Sequence, residues 1–273
     1  MFPNFLITFR EVLEMSLLVG IVLSYLNKTK QTKYNNVVYV GVGGGIIASV
    51  IGAVLFQKMT GGFAGRAEQN FEGITMLIGA GLLTSMIIWM SRQRQIAATI
   101  EQKVAAHAAN DHHVGIFFLV FFAILREGVE TVIFLSAATL VASGGRLVGA
   151  LGGIVGAIFL GYLIFVAAVK VNIKKFFTST SILLIFFAAG LVAHGVHELG
   201  EAAIIPPLVA ELWNTNHLLN EGGAAGSLLK GLFGYNDNPS LMEVISYITY
   251  LAGAAWLFFP TAFRKKDNRA IVE

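Results

Sequence analysis

Arg10-Glu11-Val12-Leu13-Glu14 and Arg126-Glu127-Gly128-Val129-Glu130 share one pattern, R-E-x-x-E, inside two long apolar stretches 116 residues apart. An ionised side chain at mid-membrane costs about 2.5 kcal/mol or more, so such groups are rare there and mark functional sites. The same costly trio written twice implies one site assembled from two related helices. The chain around them has 273 residues, 56% hydrophobic and 13% charged, against roughly 25% charged in a soluble domain. That balance describes an all-α, polytopic membrane protein whose spans are the fold, with a single transmembrane domain over 1–273. No basic patch with interleaved aromatic residues points to nucleic acid. The lack of cysteine excludes thiolate metal sites and disulfides. Residues 5–26 are too long for a signal-peptide core and lack a basic leader, so the first span is expected to stay in the mature protein.

Seven stretches are long and apolar enough to cross the bilayer as helices, at roughly 4–26, 37–57, 70–90, 115–141, 148–169, 179–205 and 241–260. Thirteen lysines and arginines fall in 27–36, 91–114, 170–178 and the C-terminal tail. Four fall in the alternate loops, and the remaining two are Arg10 and Arg126. The positive-inside rule then puts the N-terminus outside and the C-terminus in the cytoplasm.

The second and fifth spans also match. Gly41-Val42-Gly43-Gly44-Gly45 lies over Gly149-Ala150-Leu151-Gly152-Gly153, and Gly79-Ala80-Gly81-Leu82-Leu83 lies more weakly over Ala188-Ala189-Gly190-Leu191-Val192. Three spans are thus repeated as three, at about 4–90 and 115–205. They are followed by an extracellular loop at 206–240 and a seventh helix outside the repeat. An odd repeat length inverts the second copy, the arrangement of many secondary transporters, with the site near the midplane at the repeat interface. The glycines are read as small-xxx-small packing positions that let helix backbones approach closely, not as a phosphate loop, which needs a strand before it.

On a helix, Arg10, Glu11 and Glu14 share one face, and Arg126, Glu127 and Glu130 another. Facing each other near the middle, they offer four carboxylates restrained by two guanidiniums, and carboxylate oxygens suit hard cations. The bland alternative is a salt-bridge cluster locking two helices. In the sixth span His194, His197, Glu198 and Glu201 share a face toward the outer end, at spacings that suit a metal on a helix. His197-Glu198-x-x-Glu201 lacks the second histidine of a zinc-protease motif, and a polar helix interface is the competing reading. Glu68 and Glu72, with Glu211, His217, Glu221, Asp237 and Glu243, form an expected outer acidic funnel, and each is individually also an ordinary surface residue. The segment 208–219 is expected as a short interfacial helix. His107, Asp111, His112 and His113 fall in a cytoplasmic loop.

With R-E-x-x-E in the first and fourth of seven spans and the N-terminus outside, the chain resembles the oxidase-dependent iron permeases, fungal high-affinity and bacterial EfeU-type. The resemblance covers nearly the whole chain. It implies a multi-pass plasma-membrane permease, not an enzyme. Iron is its transported substrate, with no resident cofactor. The ion would be delivered as ferric iron after oxidation by a separate extracytoplasmic oxidase or peroxidase-containing accessory protein. It also implies that Glu11, Glu14, Glu127 and Glu130 are the essential glutamates, with Arg10 and Arg126 beside them. Homo-oligomer formation is left open. So are transport of lead, manganese or ferrous iron, a membrane metal sensor, and a membrane metalloenzyme.

Overall fold

The computed structural model describes residues 1–60, 64–92, 96–109, 112–141, 145–167, 172–206 and 208–267. They form α1 (Phe2–Lys28), a short 3-10 turn (Thr32–Tyr34), α2 (Asn35–Thr60), α3 (Arg66–Arg92), α4 (Ile96–Ala109), α5 (His113–Val141), α6 (Arg146–Phe165), α7 (Ile173–Glu201), α8 (Ala224–Phe233) and α9 (Leu241–Asp267). No strand occurs among the described residues.

Among the described residues, four segments are long and apolar enough to cross a membrane by length and composition: Thr32–Lys58, Arg66–Met90, Leu147–Phe165 and Lys175–Glu201. Leu241–Leu257 is a shorter apolar helix. α1 and α5 are as long, at 27 and 29 residues. Their charges set them apart, because every span-length window of either helix contains at least three charged residues. The charged motifs are thus what keeps these two helices from counting as uninterrupted apolar spans.

Three expectations are corrected. The connection 91–114 contains a helix, α4, packed on α1 and α5 through Val104. α7 is shifted relative to the expected 179–205: Asn172 caps its start by accepting the Lys175 N–H at 3.0 Å, and it ends at Glu201, before Pro206. The segment 208–219 is not helical, and the helix of this region is α8. Most of the backbone bonds of 208–219 go to the returning chain: Leu212 N–H donates to Pro239 (2.9 Å), Thr215 N–H to Asp237 (2.7 Å), and Leu241 N–H to Val209 (3.1 Å), with only a turn at Thr215 bonded within the segment. Pro207 lies outside the described residues.

The glycine runs decide which helices pair. Along α6, Gly152 and Gly156 face Phe5 and Phe9 of α1, and a Cβ on Gly153 would stand 2.6 Å from the Phe5 carbonyl and 2.8 Å from the Phe9 amide. Along α2, Gly41 and Gly44 face Phe117 and Phe121 of α5, and a Cβ on Gly45 would lie 2.8 Å from Ile124. Each motif helix therefore packs closely on a glycine-bearing helix, α1 on α6 and α5 on α2, and both pairs run parallel. α3 pairs with α7, where a Cβ on Gly73 would lie 2.9 Å from the Gly195 carbonyl and one on Gly195 3.0 Å from the Gly73 carbonyl.

α1 and α5 run antiparallel. Leu6 and Ile7, early in α1, share a core with Phe134, Ala137 and Ala138, late in α5, and with residues of α3 and α7. Val22 and Leu26, late in α1, share a second core with Ile116, Val120 and Ile124, early in α5. The two charged motifs fall between these apolar clusters.

Backbone-limited contacts cannot yield by rotating a side chain. Gly153→Ala is expected to destabilise the protein by about 1–3 kcal/mol, the usual cost of overpacking. Gly43→Ala, where a Cβ meets nothing within 4 Å, is expected to be neutral. Thermal unfolding of the two variants in one detergent checks the contrast.

Candidate metal centre

Glu11, Glu14 and Glu127 each direct one carboxylate oxygen into a space where all three lie within 4.8 Å of one another. Glu11 is buried, and Glu14 and Glu127 are partly so. This is the one set of three or more potential ligands that meets so closely among the described residues. Both Glu11 oxygens, Glu14 Oε1, Glu127 Oε2 and Glu130 Oε2 are buried without a hydrogen-bond donor. A buried carboxylate oxygen left without a donor is costly, and a cation is the partner that three converging ones would best accept.

Glu130 stands apart from the converging trio. Its Oε1 accepts a hydrogen bond from Arg126 Nε at 2.8 Å, an i,i+4 pair on α5. On α1 the equivalent pair, Arg10 Nε to Glu14 Oε1, is 3.1 Å. Arg10 and Arg126 also stand 4.0 Å from Glu11 and Glu127. The two halves thus repeat their internal ion pairing, yet their surroundings differ. The Arg10 side chain is 0% exposed and that of Arg126 48%. Arg10 Nη1 and Nη2 donate to the thioethers of Met86 (3.1 Å) and Met90 (3.0 Å). Arg126 lies over the Trp89 ring, 4.9 Å from its centroid.

Gly128, inside the second motif, has its own structural cause. A Cβ there would overlap the Ser49 side chain of α2, so the residue between Glu127 and Glu130 is a packing position.

The sixth-span constellation does not converge like the glutamates. His194 is buried and donates through Nδ1 to its own helix, to Gly190 O at 3.0 Å, leaving Nε2 buried without a partner. His197 donates through Nδ1 to Glu243 Oε1 at 2.9 Å and places Nε2 3.3 Å from Glu201 Oε1. Glu201 Oε2 in turn accepts from Gln69 of α3 at 2.8 Å. Glu198 lies within Coulombic reach of Glu72, Glu201 and Glu68. The arrangement joins α3, α7 and α9, and five of its members, Glu68, Glu72, Glu198, Glu201 and Glu243, are acidic.

The loop between α7 and α9 is tightly built, its acidic side chains mostly engaged in hydrogen bonds and ion pairs. Glu243 is buried and accepts from His197, from Asn236 Nδ2 (2.8 Å) and from the Ser240 N–H (3.0 Å), while its own N–H donates to Ser240 Oγ (3.3 Å). Ser240-Leu-Met-Glu243 is thus a capping box at the start of α9, a signal present in the sequence as S-x-x-E and not used above. Asp237 is buried and accepts from the Glu221 N–H at 3.2 Å, Glu221 pairs with Lys230 at 2.9 Å, and Glu211 accepts from Asn214. His217 is exposed. At the other end His113 stacks near Tyr34, His107 and His112 border the start of α5, and Asp111 lies outside the described residues. On α3, Ser85, Ile88 and Trp89 line an open apolar groove of about 720 Å³ against α9, where Thr84 and Tyr250 hydroxyls bond at 2.6 Å.

The iron permease FTR1 family matches residues 1–264. The chain belongs to this family. It is therefore a permease and not an enzyme. The ferrous iron permease EfeU of Yersinia pestis is 34% identical over 263 residues, covering 95% of this chain and 93% of the relative. That of Escherichia coli O6:K15:H31 is 33% identical over 265 residues, covering 94% and 95%. No solved structure matches.

Because Glu243 both caps α9 and anchors His197, Glu243→Ala should lower stability by about 2 kcal/mol, from one cap and one charge-assisted hydrogen bond. Thermal unfolding is the measurement, and Glu243→Gln, which keeps one acceptor, should fall between.

Proposed function

We propose that this chain takes up iron across the plasma membrane through a site formed by Glu11, Glu14, Glu127 and Glu130. The observation that carries the reading is the meeting of three glutamate oxygens from two antiparallel helices, buried and short of donors, in a member of an iron permease family. Seven spans, α1, α2, α3, α5, α6, α7 and α9, cross with the N-terminus outside. The reciprocal packing of α1 on α6 and α5 on α2 supports an inverted repeat of three helices and three.

In this reading iron gathers at Glu68, Glu72, Glu198 and Glu201 on the outer ends of α3 and α7. It then passes the free Nε2 of His194, with His197 held beside it, and reaches the glutamate cluster. Glu130 holds Arg126 when the site is empty and exchanges that partner for the ion. Arg10 and Arg126 limit the repulsion among carboxylates. Inward movement of a trivalent ion gains about 7 kcal/mol per 100 mV of inside-negative potential, at about 2.3 per charge. No resident cofactor is required.

The donor set is carboxylate with no thiolate, which favours a hard, highly charged ion. This supports entry as ferric iron, delivered by a separate extracytoplasmic oxidase or peroxidase-containing protein. The relatives' name, ferrous iron permease, supports the second reading, ferrous iron entering directly. Flux into liposomes separates them. Ferric citrate uptake without reductant and none of ferrous iron under ascorbate is the expected result, and the reverse pattern selects the second reading.

Glu14→Ala, Glu127→Gln and Glu130→Ala should each reduce iron accumulation to background at unchanged expression. Normal accumulation by any of them removes that glutamate from the site.

A further inference from the structure

Met86, Trp89 and Met90 stand at i, i+3 and i+4 on α3, so they share one helix face. That single face holds both motif arginines. The Met86 and Met90 thioethers accept from Arg10 at 3.1 and 3.0 Å, and Trp89 lies under Arg126 at 4.9 Å. Neither motif helix supplies these contacts, and Met86, Trp89 and Met90 have no counterpart in the paired-motif pattern.

The chemistry of the three acceptors is what matters. A thioether and an indole face attract a guanidinium weakly and carry no formal charge. A carboxylate in their place would neutralise the arginine. Held as they are, Arg10 and Arg126 keep their full charge directed at the glutamates, and they retain partners when the glutamates turn to a metal.

We propose that the Met86–Trp89–Met90 face is an arginine rest: it positions both guanidiniums and receives them as iron takes their carboxylate partners. These are positioning residues, since they touch the arginines and not the ion. The proposal rests on the glutamate cluster being the iron site. Without the rest, each arginine stays on its carboxylates and competes with iron. Apparent affinity then falls while the translocation step is little changed.

The test is iron flux into liposomes of one fixed lipid composition, measured as KM and Vmax separately. Trp89→Leu and the double variant Met86→Leu/Met90→Leu keep apolar volume and remove the acceptors. Each should raise KM about fivefold to tenfold, the ratio expected from losing contacts of this strength, with Vmax within about twofold. Trp89→Phe keeps an aromatic face and should stay near the parent KM. Trp89 is 41% exposed, so its two variants are expected to fold, which keeps the comparison available if the methionine pair, of which Met86 is buried, does not tolerate change. Unchanged KM in Trp89→Leu, or equal impairment in Trp89→Phe and Trp89→Leu, overturns the proposal. Glu14→Gln is run alongside. If it transports normally, the glutamate site itself fails, whereas its loss of transport beside an unaffected Trp89→Leu rejects the arginine rest alone.

Discussion

Everything in this fold is arranged around the cost of placing carboxylates inside an apolar bundle. Glu11 and Arg10 are fully buried, and Glu14, Glu127 and Glu130 nearly so. Isolated ions in such surroundings carry penalties of several kcal/mol each. Pairing within each motif, at 3.1 Å on α1 and 2.8 Å on α5, offsets part of that. It cannot offset all of it, since four carboxylates face two guanidiniums. In the proposed reading a cation supplies the charge that the two guanidiniums leave unmatched, and the rest of the fold holds the groups in place.

The holding is done by apolar surface on either side of the charged layer. One cluster joins Leu6 and Ile7 to Phe134 and Ala137, the other joins Val22 and Leu26 to Ile116 and Ile124. Between them the antiparallel crossing of α1 and α5 is fixed, so the glutamates cannot separate without opening both. The glycine runs of α6 and α2 then bring backbone against backbone around the two motif helices. In a bilayer, where burial from lipid supplies no hydrophobic driving force between helices, close packing of this kind is the principal attraction.

Much of this was legible in the residues. The repeated R-E-x-x-E named the two helices that meet, and the matching Gly41–Gly45 and Gly149–Gly153 runs named the surfaces that grip them. Long helices follow from hydropathy because a bilayer imposes a length, and each of the seven expected stretches overlaps a long helix. What the pattern did not reveal depended on partners distant in sequence. Met86 and Met90 read as ordinary apolar residues of a span, and nothing at i±4 announces that a guanidinium 76 residues earlier rests on one of them. The His194–Glu201 face was visible as a helical stripe. That His197 is already committed to Glu243 and Glu201 depends on how α9 returns to α7, which hydropathy does not encode. Segment 208–219 has the apolar content of an interfacial helix, but its backbone found partners in 237–241 first.

The departure from symmetry carries as much meaning as the symmetry. Two identical motifs in identical surroundings would present the same face to both sides of a membrane. Here Arg10 is sealed while half of the Arg126 side chain is open, and Glu130 lies outside the converging group while Glu14, paired to its own arginine in the same way, lies within it. A single helix, α3, produces the difference: its thioethers enclose one guanidinium, and its indole leaves the other accessible along one edge. The two motifs supply matching carboxylates and guanidiniums. Unequal contacts from a third element, α3, leave one guanidinium enclosed and the other partly open, so the two sides of the cluster are not equivalent.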